Sequence, residues 1–253
     1  MEAEAERAQS ELARVWRGAA SVVVLTGAGL STASGIPDFR SPGGRWARYR
    51  PVPIQDFLAS EDSRRAYWEY KGATWKLIEK AEPNAAHAAL ALLARAGSID
   101  LLVTQNVDGL HERSGFPPER LVSVHGSDGA VVCTSCGARF PRELAQRQWE
   151  TGTPVPRCGC GGPLKPATIS FGQNLVPEDL ERAMSAAASC ALFVAAGTSL
   201  VVGPINRMFD QALRAGAATA IATASETPYD DRCHWKLAGP VERVLPELAR
   251  RVL

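Results

Sequence analysis

Short apolar runs recur along this 253-residue chain, and the stretches between them have the residue spacing of helices. The runs are of strand length and cover residues 21–26, 100–104, 121–125, 191–196 and 217–223. Helical spacing is clearest over residues 4–17, 84–95 and 178–188. Strands that alternate with helices form a parallel sheet covered on both faces. The pattern therefore predicts an α/β fold of Rossmann type with a doubly wound parallel sheet.

One segment interrupts this alternation and predicts a small inserted module. It is rich in Gly, Pro and Cys, and it contains Cys133-x-x-Cys136 and, after 21 intervening residues, Cys158-x-Cys160. Four thiolates can hold one tetrahedral zinc ion, and a site without an open ligand position is structural. We therefore predict a single domain over residues 1–253. Its Rossmann-type part covers about 1–130 and 167–253, and its zinc-ribbon-like module covers about 131–166.

The charge balance and the cysteines narrow the function classes. Lys and Arg number 28 against 27 Asp and Glu, so no global field would draw the chain to nucleic acid or anionic lipid. The first residues are acidic and helix-prone, and no apolar run approaches the roughly 20 residues that span a bilayer. We therefore expect a cytoplasmic protein with no membrane or direct nucleic-acid partner. Its six cysteines are then metal ligands or free thiols. The oligomeric state stays open.

The first apolar run ends in a glycine turn, Gly27-Ala28-Gly29. Such a junction suits a dinucleotide, because bare backbone amides and the N-terminus of a following helix can bind phosphate oxygens. From these residues alone, an ordinary tight turn is the alternative. The strict G-x-G-x-x-G fingerprint is absent, because Thr32 stands at its last position.

Polar residues follow two later runs at the point where each strand should end. Gln105, Asn106 and Asp108 come after residues 100–104, and His125 closes the run before Gly126. A doubly wound sheet opens its ligand crevice at the carboxyl ends of its strands, so these side chains should reach the same cleft. Imidazole, with an ordinary pKa of about 6.5, is suited to accept a proton near neutrality. The alternatives are that Asn and Asp cap the next helix and that the histidine is a structural residue.

Four separated blocks together resemble one protein family. They are GAGLSTASGIPDFR at 27–40, TQNVDGLH at 104–111, His125-Gly126, and Gly197-Thr198-Ser199. In this order and at these separations, the chain resembles the sirtuins, the NAD-dependent protein deacylases, from residue 21 to about 200. The resemblance implies that NAD is a consumed co-substrate and that the partners are acylated proteins.

The resemblance also implies a role for each matched residue. His125 is the base that deprotonates a ribose hydroxyl, and Asn106 is the second catalytic residue. The products are nicotinamide, O-acyl-ADP-ribose and free lysine. The segment that binds the substrate peptide comprises Ile169, Ser170, Phe171 and Gly172. The implied cofactor-binding residues are Gly27, Ala28, Gly29, Ile36, Phe39, Arg40, Gln105, Asn106, Asp108, Gly197, Thr198, Ser199 and Thr223.

The chain departs from the family pattern at several positions. Thr223 stands where an Asn usually meets the adenosine ribose, and Gln173 stands where many relatives carry an acidic residue. Arg157 occupies the place of the expected partner of Cys160, so we expect Cys158 to be the fourth zinc ligand. The Tyr-x-x-Arg pair associated with acidic acyl groups is not evident at 67–73, and desuccinylation is not predicted.

Several other residues receive structural interpretations. Trp46 and Tyr49 lie in an irregular loop at 37–53 that resembles the family's cofactor-covering loop, and simple solvation is the alternative for both. We expect structural or surface roles for His87, His111 and His234, and ordinary burial for Cys190 and Cys233. Two rival functions stay open: NAD-dependent mono-ADP-ribosyl transfer to protein, and a zinc-ribbon binding module with a degenerate nucleotide fold.

Overall fold

The computed structural model describes residues 2–253, so Met1, the first residue of the predicted domain, lies outside the described residues. The strands in chain order are β1 (Val22–Thr26), β2 (Leu101–Thr104), β3 (Leu121–Ser123), β4 (Gly126–Cys133), β5 (Arg139–Pro141), β6 (Leu164–Thr168), β7 (Leu192–Ala196), β8 (Ala218–Thr223) and β9 (Trp235–Ala238). The α-helices are α1 (Glu2–Gly18), α2 (Ile54–Ala59), α3 (Glu61–Lys80), α4 (Ala85–Arg95), α5 (Leu110–Arg113), α6 (Arg142–Glu150), α7 (Pro177–Ser189), α8 (Arg207–Arg214) and α9 (Val241–Val252).

The main sheet within residues 2–253 has six strands, all parallel, in the order β3-β2-β1-β7-β8-β9. The chain builds one half of the sheet outward from β1 and then crosses back to build the other half from β7. In a doubly wound sheet, the carboxyl ends of the strands open a crevice where the order reverses. That point lies between β1 and β7. The predicted Rossmann-type architecture is confirmed.

The central strands are buried on both faces, which explains their continuous apolar sequences. Val22 and Val24 of β1 belong to a core shared with α1, α4 and α9. Val23 and Leu25 belong to the opposite core, shared with α7 and α8. Side chains alternate across a strand, so each face of β1 contributes two buried residues. Burying one such side chain contributes about 1.5–3 kcal/mol, so a charge placed in β1 would destabilise the fold.

The start of α4 is fixed by a side chain that also contacts the glycine turn. Asn84 Oδ1 accepts hydrogen bonds from the N–H groups of Ala86 and His87, which satisfies amides that the helix leaves unpaired. Asn84 Nδ2 donates to Leu30 O at 2.8 Å and to Ser34 Oγ at 3.0 Å. The same residue therefore begins the predicted helix and holds the segment that follows β1.

A second, antiparallel sheet has the order β5-β4-β6 and packs with α6, α2 and α3. It begins at Gly126, directly after His125, and ends at Thr168, against predicted module bounds of 131 and 166. The division of the chain into these two parts stays a prediction. Leu164 O accepts a hydrogen bond from Trp68 Nε1, which ties β6 to helix α3.

Sequence periodicity did not indicate every element. Strand β9 has only four residues, of which Trp235 and Lys236 are half-buried. An alternation of apolar and polar residues cannot be recognised over so short a segment. His234 directly precedes β9, and its Nδ1 accepts a hydrogen bond from the Thr219 N–H at 3.1 Å. None of the helices described in residues 2–253 combines the length and apolar character needed to cross a membrane.

Candidate active site

A cavity of about 830 Å³ opens at the carboxyl ends of β1, β2, β7 and β8. Every residue predicted to be catalytic, cofactor-binding or substrate-binding lines it, although these residues are spread from position 27 to position 223. The four predicted zinc ligands lie elsewhere, in the antiparallel sheet region. The parallel strand order thus brings distant segments of the chain to one crevice.

The glycine turn after β1 packs directly against a second glycine turn after β7. Gly29 N donates to Gly197 O at 2.8 Å, and Gly27 N donates to Ala196 O at 3.2 Å. A Cβ on Gly29 would lie 2.9 Å from Gly197 O, and Gly197 itself has a φ of +60°. Glycine is therefore required for this close approach. The expectation of bare amides is wrong at positions 27 and 29, because both amides pair with the neighbouring segment.

Asn106 and Asp108 are held by a serine that the sequence interpretation did not single out. Asn106 Nδ2 donates to Gly27 O and to Ser31 Oγ, each at 3.1 Å. Ser31 Oγ donates in turn to Asp108 Oδ2 at 2.8 Å. Asp108 Oδ1 accepts the Leu110 N–H at 3.0 Å, so this carboxylate also caps α5. Asp108 therefore contacts the start of α5 and also lines the cavity, so both interpretations of this residue describe its position.

Gln105 joins three strand ends beside this cluster. Its Nε2 donates to Thr26 O at 3.2 Å and to Thr198 Oγ1 at 2.9 Å. These bonds connect the ends of β1, β2 and the turn after β7. Gln105 therefore braces the crevice walls across the point where the strand order reverses.

The hydrogen bond of His125 defines which ring nitrogen can accept a proton. Its Nδ1 lies 3.0 Å from the carbonyl oxygen of Gln105. A carbonyl oxygen only accepts, so Nδ1 carries the proton and Nε2 presents a lone pair in the neutral ring. Burial lowers the pKa of His125, although the Gln105 carbonyl acts to raise it. The imidazole is therefore neutral at pH 7 and is suited to act as a base.

The irregular loop after the glycine turn contributes a wall of half-buried aromatic rings, while much of its remaining length, including Arg48 and Arg50, is exposed. Phe39 and Trp46 have ring centroids 5.5 Å apart, and Trp46 lies 5.9 Å from Phe171. The Arg40 guanidinium stacks over Trp46 at 4.4 Å, and that of Arg45 stacks over Phe39 at 3.8 Å. This wall joins the predicted cofactor loop to the predicted peptide-binding segment.

A buried ion cluster stands behind the opposite wall. Lys71 lines the cavity, and its Nζ donates to Asp128 Oδ2 at 2.8 Å. Arg142 Nε approaches Asp128 Oδ1 at 3.4 Å, and its guanidinium lies over Trp68 and Trp75. Burial acts to raise the pKa of Asp128, but Lys71 and Arg142 hold it below its usual range. Sequence reasoning missed this cluster, because its members lie on three separate elements.

The predicted zinc ligands come together in one cluster. The sulfur atoms of Cys133, Cys136, Cys158 and Cys160 all lie within 4.8 Å of one another. Cys133 Sγ is 3.5 Å from Cys160 Sγ, and Cys136 Sγ is 3.8 Å from Cys158 Sγ. A tetrahedral zinc with Zn–S bonds of about 2.3 Å requires S···S separations of about 3.8 Å. The four thiols therefore suit a structural zinc ion, and Cys158 occupies the fourth position.

The electrostatics of this cluster favour thiolate formation at one ligand. The backbone N–H groups of Cys136 and Ser135 lower the pKa of Cys133 to about 6. The thiolate is the form that binds metal. When bound, zinc would join β4 to the loop before β6 at this point.

Comparisons with known proteins agree with this architecture. The family model described as "Sir2 family" matches residues 27–204. NAD-dependent protein deacetylase 1 of Bradyrhizobium diazoefficiens is 42% identical over 214 residues, which is 84% of each chain. A solved Sir2 variant with a deacetylated p53 peptide and 3'-O-acetyl ADP ribose has a TM-score of 0.88 and 32% identity, covering 96% of each chain.

A second solved structure contains the co-substrate itself. It is a Sir2 protein with a p53 peptide and NAD+, with a TM-score of 0.85 and 31% identity, covering 96% of this chain and 95% of that one. The predicted family is therefore confirmed, and with it the expectation of an NAD-dependent enzyme. By the extent of these matches, the chain belongs to the Sir2 family.

Proposed function

We propose that this chain removes acetyl groups, or other acyl groups, from lysine side chains of proteins and consumes NAD in doing so. The relatives named as NAD-dependent protein deacetylases support this activity. The observation that carries it is the convergence of Asn106, His125 and the glycine turn on one cavity, with a neutral imidazole among them. One water molecule is consumed as the amine is released, and nicotinamide, O-acyl-ADP-ribose and free lysine are the expected products.

NAD supplies a ribose carbon that becomes electrophilic as nicotinamide leaves, so that the acyl oxygen can add to it. His125 then accepts a proton from a ribose hydroxyl at Nε2, because its Nδ1–H is committed to Gln105 O. That proton transfer makes the hydroxyl a nucleophile toward the acyl carbon. Burial keeps the base unprotonated before the reaction.

Asn106 and Asp108 hold the nicotinamide ribose in this proposal. Asn106 is buried, and its amide nitrogen already donates to Gly27 O and Ser31 Oγ, so its side-chain oxygen is the atom that remains to accept. A fixed rotamer of this kind positions a substrate with little loss of entropy on binding. The aromatic wall of Phe39, Trp46 and Phe171 excludes water from the reacting ribose.

The substrate peptide lies beside the base in this proposal. The Ile169 N–H donates to His125 O at 2.8 Å, so the segment Ile169, Ser170, Phe171 and Gly172 runs directly past the catalytic histidine. An extended peptide that pairs with this backbone would bring its modified lysine to the cavity. We propose the cytoplasm as the location, because a four-thiolate site requires the reduced cysteines of that compartment.

A panel of acyl-lysine peptides assayed with NAD tests the proposal. We expect nicotinamide release to equal peptide deacylation for at least one acyl chain. NAD labelled in its adenosine part distinguishes the rival transfer reaction, because label that stays covalently on protein would indicate mono-ADP-ribosylation. A folded, zinc-loaded protein that releases no nicotinamide with any acyl peptide would contradict the proposed enzyme.

Replacement of the base gives a sharper result. His125→Ala should reduce deacylation about 10²- to 10⁴-fold, the usual contribution of a positioned general base. The thermal unfolding midpoint should change little, because the side chain is only half-buried. His234→Ala is the matched control, since His234 lies beside β9 and away from the cavity lining. Equal activity of the two variants would remove His125 from the mechanism.

A further inference from the structure

Two histidines that the proposed mechanism does not use lie buried behind the cavity. His87 and His111 are 0% and 1% exposed, and their ring centroids are 5.0 Å apart at an interplanar angle of 61°. Burial lowers the pKa of His87 to about 4 and that of His111 well below its usual value. Both rings are therefore neutral at pH 7, and each has one N–H and one lone pair.

The partner of His87 defines its tautomer. The backbone N–H of Asn84 donates to His87 Nδ1 at 3.4 Å, as the second half of the capping box at α4. Nδ1 therefore has the lone pair, and the ring proton is on Nε2. That Nε2 is buried without a hydrogen-bond partner among the described residues.

His111 has the complementary arrangement. The Thr26 hydroxyl donates to Thr104 Oγ1 at 2.9 Å, so Thr26 Oγ1 accepts from His111 Nε2, which lies 3.0 Å away. The proton of His111 is therefore on Nε2, and its Nδ1 has the lone pair. Nδ1 is likewise buried without a partner within residues 2–253. The two orphaned nitrogens are thus one donor and one acceptor on adjacent rings.

The same set of hydrogen bonds reaches the cavity. Thr26 and Thr104 are opposite each other at the ends of β1 and β2, and Thr104 Oγ1 accepts the backbone N–H of Asn106 at 3.1 Å. The ring pair is thus linked to Asn106 through two hydroxyls.

We infer that the neutral His111 ring, with His87 packed against it, positions Asn106 through Thr26 and Thr104. The inference rests on the proposed function for its consequence in catalysis. Its structural content does not, because the hydrogen bonds that join His111, Thr26, Thr104 and Asn106 exist without substrate. His87 and His111 are positioning residues that do not line the cavity.

Three variants separate positioning from simple packing. His111→Leu removes the hydrogen-bond donor and acceptor of the ring, and His111→Gln retains one of each. Thr26→Val removes the hydroxyl that joins His111 to Thr104 and keeps the shape of the side chain. We expect His111→Leu and Thr26→Val to weaken NAD binding about tenfold, with the KM for the acyl peptide unchanged. His111→Gln should bind NAD within about twofold of the unmodified protein, because the Gln amide can donate to Thr26 Oγ1 in place of the ring N–H. His234→Leu serves as the control.

NAD affinity measured by calorimetry makes this test independent of turnover. If the unmodified protein binds NAD but deacylates nothing, the proposed function fails while the positioning inference stays testable. Should His111→Leu not fold, Thr26→Val alone decides: NAD affinity equal to that of the unmodified protein would overturn the inference.

The tautomers can also be observed directly. In a long-range ¹H–¹⁵N spectrum of histidine-labelled protein at pH 7, both rings should show a protonated Nε2 and an unprotonated Nδ1. A protonated His111 Nδ1, or a positively charged ring at pH 7, would overturn the inference.

Discussion

The cavity and the cysteine cluster are built in different ways. The cavity draws its lining from residues 27 to 226, and it is held by hydrogen bonds among strand ends such as those of Asn106 and Gln105. The cysteine cluster draws its four ligands from residues 133–160. The two cores that enclose the main sheet contain no residue of 126–168, whereas a third core joins β4 and β6 to α2 and α3. The crevice therefore depends on the topology of the sheet, whereas the cluster depends on a short segment around the small sheet.

The two regions meet at the buried ion cluster. Asp128 lies on β4, Arg142 on α6, and Lys71 on helix α3 at the cavity wall. Asp128 N also donates to Val107 O at 2.9 Å, beside the loop that contains Asn106. A substitution that unfolds the small sheet should therefore disturb the cavity through these contacts. A substitution in the crevice should leave the four predicted zinc ligands in place.

The largest expected effect comes from removing a zinc ligand. Cys133→Ala should reduce the bound zinc from a full equivalent to nearly none, because the binding free energy of structural zinc is about 10–16 kcal/mol in small zinc peptides. The small sheet should lose its order while the main sheet keeps a separate unfolding transition. Metal analysis and thermal unfolding measure both outcomes. Cys233→Ala is the control, and full zinc retention by Cys133→Ala would show that the cluster is not a metal site.

A smaller effect is expected where the two regions join. Asp128→Asn leaves Lys71 and Arg142 without their shared carboxylate and should lower the free energy of unfolding by about 3–5 kcal/mol. Glu150→Gln, which breaks an exposed ion pair with Lys76, should cost at most about 1 kcal/mol. Urea unfolding of both variants measures the difference. Equal stabilities would mean that the buried cluster does not couple the small sheet to α3.

The smallest effect concerns the region behind the crevice. His87 and His111 have lowered pKa values because they are buried, so below pH 6.5 the unfolded chain binds more protons than the folded chain. Each histidine should therefore reduce the free energy of unfolding by about 1.4 kcal/mol per pH unit as the pH falls from 6.5 toward 5. Nearby Asp108 raises the pKa of His87, and Arg113 lowers it.

Urea unfolding at pH 7, 6 and 5 checks this slope. His111→Gln should flatten it by the share of one histidine. Carboxylates such as Asp128 contribute only at lower pH, because their pKa values are depressed in the folded state. An unchanged slope in His111→Gln would mean that this ring is not buried in its neutral form.

Much of the architecture was predictable because buried strands have a simple local signature. The apolar runs predicted β1, β2, β3, β7 and β8, and helical spacing predicted α4. Strand β9 was missed because it is short and partly exposed. The role of Ser31 was also missed, although it stands inside the block at 27–40, because a serine after a glycine turn has no distinctive pattern of its own. The role of Trp46 was left open, because its packing depends on Phe39 and Phe171.

By itself, the sequence determined the fold class, the family and the set of four cysteines that cluster, since these follow from local periodicity, short motifs and cysteine spacing. The tertiary structure alone decided which polar atoms meet. The pairing of Lys71 with Asp128, the tautomer of His125, and the adjacency of His87 and His111 join residues from 20 to 57 positions apart. No local pattern encodes such contacts, because they depend on strand order and helix packing, which the whole chain determines together.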